Sequence, residues 1–186
     1  MRDDLFKSLV LSQFEASLDM MAHAVQRCPA KHWEGIIGKY PFWQVAYHAL
    51  CFVDLYTAPS NDAWRPHPEL HPKGLAELQK EYPSRSFAKA EILAYIDLCN
   101  DKVRASLAAE TPKSFARPSG FSWVPVTRAE LPIYSLRHLQ HHVGQLTAYL
   151  RRAKVGTRWG YAGRVLAPPA VTAPPAEPRR RAGSRR

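Results

Sequence analysis

Three of the eight histidines fall within five residues, in Arg137-His138-Leu139-Gln140-His141-His142, and another, His48, closes the stretch Trp43-Gln44-Val45-Ala46-Tyr47-His48. Imidazole titrates near neutral pH and is the commonest protein ligand for transition metals. Helical geometry sorts the cluster. At roughly 100° per residue, the stripe Leu136, Leu139, Val143, Leu146 and Leu150 defines a core direction. His142 then lies roughly 70° and His138 roughly 110° from it on one flank, whereas His141 lies roughly 170° away, toward solvent. His138 and His142, at i and i+4, can aim at one point. His48 shares a face with Val45 and Phe52, which predicts that it points inward. Three neutral imidazoles from two helices would form a half-shell for a divalent metal, with a position left open to water or substrate. The same spacing also occurs among ordinary core and surface histidines.

Four helical patterns supply the scaffold. The first runs from about Asp3 to Arg27, with Leu5, Leu9, Phe14, Leu18, Met21 and Val25 recurring on one side; Asp3 and Asp4 suit its positive end, and Pro29 ends it. The second covers about Pro41 to Tyr56, and the third about Ser86 to Ala109 with Phe87, Ile92, Ile96, Val103 and Leu107 on its apolar side. The fourth runs from Thr127 to about Ala153, started by a capping box, Thr127-x-x-Glu130, with Pro132 offsetting its first turns. The connection from Thr57 to Arg85 is long, with a short helix predicted near Lys73–Lys80. Thr111 to Val126 reads as irregular. No segment alternates like a strand. The fold class is therefore all-α: a four-helix bundle with a long crossover between helices 2 and 3.

Charge divides the chain sharply. Residues 1–150 carry 16 basic and 15 acidic residues, whereas 151–186 carry 10 basic and one acidic. The bundle is assigned to 1–155 and a Pro/Arg-rich extension to 156–186, disordered from about 167, where Pro, Ala and Arg offer no core. Cys28, Cys51 and Cys99 form no CxxC pair, which disfavours a disulfide scaffold and a cysteine-rich zinc site. No signal-like start and no apolar run of about 20 residues is present, so a soluble, cytoplasmic protein without a membrane partner is expected.

The stretch Leu136 to Leu146 resembles the last-helix motif of the DinB-like family, and Pro41 to His48 followed by Asp54-Leu55-Tyr56 resembles its second-helix segment. The likeness covers residues 1 to about 155. It implies a metal-binding four-helix bundle whose ligands are His48, His138 and His142, the trio selected above. It also implies a homodimer, and a thiol-dependent transfer or a metal-assisted hydrolysis on a small molecule. The cofactor is one divalent transition metal, and zinc, nickel and iron all suit three imidazoles.

Several neighbours carry expectations of their own. Gly144 implies close approach of another helix. Gln145 either orients a ligand or is solvated, and Tyr134 either lines the mouth or packs in the core. Cys51 either reaches the site or packs. His23 is structural. His67 and His71 either belong to a loop covering the site or are polar loop residues. Asp54 lies about 120° from His48 around its helix, too far for a partner in acid–base chemistry. Two other functional classes stay open. One is a non-catalytic, stress-associated or interaction protein with a structural metal. The other binds a polyanion, weakly nucleic acid, through Arg151, Arg152, Lys154, Arg158 and Arg164 and on to Arg179–Arg181, Arg185 and Arg186.

Overall fold

The computed structural model describes residues 2–73 and 83–163. The bundle consists of α1 (Arg2–Arg27), α3 (Phe42–Thr57), α4 (Lys89–Ala109) and α6 (Leu131–Arg152), with short helices α2 (Ala30–Trp33) and α5 (Pro112–Phe115) in the connections. A two-stranded antiparallel hairpin, β1 (Ile36–Ile37) with β2 (Tyr40–Pro41), precedes α3. At two residues per strand it is too short to show alternation in the sequence.

Helices α1 and α3 each pack on both α4 and α6, so α1 and α3 sit on one diagonal. Lys89 Nζ reaches the carbonyl of Cys28 at 2.6 Å and Lys7 Nζ that of Glu110, which sets α1 antiparallel to α4. Tyr47 stacks on Phe87 at 4.3 Å and Lys102 pairs with Asp54, so α3 runs parallel to α4. Phe42 meets Tyr149 and Tyr56 meets Tyr134, so α3 runs antiparallel to α6. The long crossover follows from this: joining parallel neighbours requires the chain to return the helix length, about 24 Å for sixteen residues.

Several boundaries differ from the sequence reading. The last helix begins at Leu131, four residues late, because Thr127 is taken into a bridge with Pro118. Thr127 Oγ1 still accepts the Glu130 N–H at 3.2 Å, but closes a turn ahead of the helix. Pro132 then falls in the first turn, where a missing N–H costs nothing, so it causes no offset. The third helix starts at Lys89, with the Glu91 carboxylate accepting the Ala88 N–H at 2.8 Å. Leu5 and Leu9 are 59% and 50% exposed, outside the core their spacing suggested. The short helix predicted at Lys73–Lys80 and the extension beyond residue 163 lie outside the described residues.

The core is built from single stripes on α1, α4 and α6 and from nearly all of α3. Leu139, Val143, Leu146 and Leu150 are fully buried, each contributing on the order of 1.5–3 kcal/mol. They fix the rotation of α6 and hence the direction of its histidine flank.

Candidate metal centre

His48, His138 and His142 come together in the groove between α3 and α6, each offering a ring nitrogen within 4.8 Å of the others. Their ring centroids are 5.3 Å apart for His48–His138, 4.9 Å for His48–His142 and 4.6 Å for His138–His142. His138 Nε2 and His142 Nε2 are 3.1 Å apart. Two imidazoles on one tetrahedral zinc, at 2.0–2.1 Å each, would stand about 3.3 Å apart, so these rings need almost no movement to share an ion. His138 Nδ1 is buried without any hydrogen-bond partner. The unpartnered Nδ1 is the far nitrogen of that ring, so the case for an ion rests on the three convergent imidazoles and on the Nε2 to Nε2 spacing.

The surroundings prepare the rings. Burial among neighbouring rings, then repulsion from His142, pushes the His48 pKa down to about 4; burial, then His142 and His48, pushes His138 down to about 3. Burial also lowers His142, opposed by its bond to Gln145. All three are therefore neutral near pH 7, the state in which imidazole can coordinate a metal. Gln145 Oε1 lies 2.8 Å from His142 Nδ1, while its Nε2 lies 3.2 Å from His141 Nε2. With His142 Nδ1–H donating to the amide oxygen, His142 Nε2 carries the lone pair that faces His138. Gln145 is thus an orienting residue, and His141 anchors its other end while staying exposed.

His48 does not point inward. It stands at the rim, open to solvent on one side while its ring is crowded on the other by Phe52, His138 and His142, and the reason lies in α3 itself. Buried residues cover its circumference and leave only His48, Phe52 and Thr57 outward, so neighbours at i−3 and i+4 could not identify the inner face. Phe52 flanks the site, 4.9 Å from the His48 ring and 5.1 Å from the His138 ring. Tyr134, 36% exposed, lines a shallow depression with Arg137, His138, Gln140 and His141. Cys51 is buried in the core and outside the three-histidine group.

Gly144 is open: a Cβ there would meet nothing within 4 Å, so no helix approaches it closely. His71 is not a solvated loop residue. It is buried, with Nε2 2.8 Å from Tyr95 Oη and Nδ1 3.2 Å from Tyr47 Oη. Asp54, fully buried, accepts from Tyr95 Oη at 3.1 Å and from Lys102 Nζ at 2.5 Å. This network ties the crossover to α3 and α4 on the side of α3 away from His48. Only the aspartate's place in a helical pattern hinted at it, since its partners come from distant segments.

The sequence profile of the DinB superfamily matches residues 13–146. The chain belongs to the DinB superfamily. The matched span contains all three converging histidines and excludes the basic extension. Among curated proteins, none matches this chain. Superfamily membership and the histidine cluster together make this a DinB-like protein able to hold a metal ion. No described helix is long and apolar enough to cross a membrane.

Proposed function

We propose that this protein binds one divalent transition metal through His48, His138 and His142 and uses it on a small molecule, foremost in transfer of a thiol and otherwise in a hydrolysis. The observation that carries the reading is the exposure of His48 at the rim of three converging neutral rings. A structural site closes its ligand sphere with four protein groups; three ligands facing solvent leave room for a reactant. When bound, the metal would lower the pKa of a coordinated thiol or water, or polarise a carbonyl. The protein's own contribution is positional. Gln145 holds the His142 tautomer, the leucine stripe of α6 fixes the flank, and Phe52 and Tyr134 border the approach to His138. Asp54 supplies no acid–base chemistry here, being enclosed with Lys102 and Tyr95.

The test is loading with cobalt(II), followed by titration with a small thiol. Three-imidazole ligation predicts an absorbance spectrum lost in His138→Ala, and a new sulfur-to-metal band as thiol is added. A stoichiometric cobalt spectrum unmoved by thiol would refute thiol activation while keeping the site. Failure to load would refute both.

A further inference from the structure

Beyond α6 the chain turns back along α1. Lys154 adopts φ 59° and closes the helix, with the Val155 N–H on the Leu150 carbonyl at 2.9 Å and the Lys154 N–H on that of Arg151 at 3.0 Å. Residues 155–163 then form a strap on the outer face of α1. Arg158 pairs with Asp19, Gln13 Nε2 donates to the Tyr161 carbonyl at 3.2 Å, and the Gly163 N–H donates to Ser12 Oγ at 3.0 Å. Gly160 lies against α1, where a Cβ would come within 3.1 Å of the Ala16 carbonyl. Its neighbours therefore face outward: Trp159 is 63% and Tyr161 83% exposed.

Two large aromatic rings are thus held in water by a backbone anchored on both sides of them. They lie two residues apart on either side of Gly160, and both are open to solvent, so each can take a separate base. From 151 to 163 the chain carries Arg151, Arg152, Lys154 and Arg158 and no acidic residue; Arg158 is paired with Asp19, which leaves Arg151, Arg152 and Lys154 for an anion. Guanidinium groups grip phosphate bidentately and stack on bases.

We infer that the strap is a docking surface for single-stranded nucleic acid, with bases stacking on Trp159 and Tyr161 and phosphates held by Arg151, Arg152 and Lys154. A duplex buries the base faces that such rings need. An anionic bilayer calls for an amphipathic helix with a broad apolar side, and the strap is not helical. The surface is separate from the histidine site and independent of any metal there.

The experiment is fluorescence anisotropy of labelled oligo-dT and oligo-rU with the full chain, across a salt series. It is run beside a duplex of equal length, phosphatidylserine vesicles and sedimentation of the protein alone. Binding of the single strands is expected, tighter than the duplex, with log affinity falling by about 0.7 per phosphate contact against log salt. Trp159→Ala/Tyr161→Ala should weaken it by about ten-fold or more with unchanged thermal stability, since both rings face solvent. His138→Ala should bind the oligonucleotides like the parent. Equal affinity of the double variant, equal affinity for duplex, binding to vesicles alone, or strap-dependent self-association would each overturn the proposal.

Discussion

Gln145 offers the sharpest test of how the histidine site is prepared. Its amide oxygen, 2.8 Å from His142 Nδ1, selects the tautomer whose Nε2 lone pair faces His138 and His48. Gln145→Leu keeps the side chain's bulk but removes the acceptor. The ring is then free to rotate and to carry its proton on Nε2, which must be lost before coordination. Loss of an orienting partner of this kind typically weakens metal binding 10–100-fold, equivalent to about 1.4–2.7 kcal/mol. Gln145→Glu places a carboxylate on the same nitrogen and should match or exceed the parent's affinity. His141→Ala removes only the anchor on the amide's far end, 3.2 Å away and exposed, so its cost should be several-fold smaller than that of Gln145→Leu. Affinities would be measured by competition with a chromophoric zinc chelator at pH 7.5, with His48→Ala, His138→Ala and His142→Ala as controls that remove a ligand outright. Parent-like affinity in Gln145→Leu would refute the orienting role. A loss in His141→Ala as large as in His142→Ala would show that the wrong pair of rings has been assigned.

Three further outcomes are expected. Asp54→Ala should destabilise the fold by about 3 kcal/mol, the lower end for a broken buried ion pair because Lys102 can reach water; a urea midpoint unchanged from the parent would refute the network's importance. Gly144→Ala should stabilise by about 1 kcal/mol, since a methyl there meets nothing and alanine favours the helix; a fall in melting temperature would mean that the exposed face needs the gap. The metal-free protein should lose stability as pH falls from about 6.5, where unfolded histidine takes up protons, toward the folded values of about 4 for His48 and about 3 for His138. Above that window the three rings contribute no pH dependence; a urea midpoint at pH 5 equal to that at pH 7.5 would show that they are not desolvated.

The helical class and the pairing of His138 with His142 were legible in the sequence because both are local properties. A four-leucine stripe on α6 fixes which flank is which, and i,i+4 spacing does the rest within one helix. The second helix was placed to within a residue at each end. Other features depend on segments far apart in the chain. His48 sits on a helix that is buried nearly all round, so only packing against both α4 and α6 decided that it lies at the rim. His71 looked like a loop residue until the crossover folded onto Tyr47, Tyr95 and Asp54. Thr127 carried a sound capping signal and lost it to a bridge with Pro118, a tertiary contact outweighing a local preference. Gly144 was misread for the complementary reason: a glycine in a helix signals either a close neighbour or none, and the sequence gives no distance. Local periodicity determined the histidine flank of α6 and the reach of Gln145 back to His142; the rim position of the third ring and the outward aromatics of the strap were decided by which surfaces the bundle brings into contact.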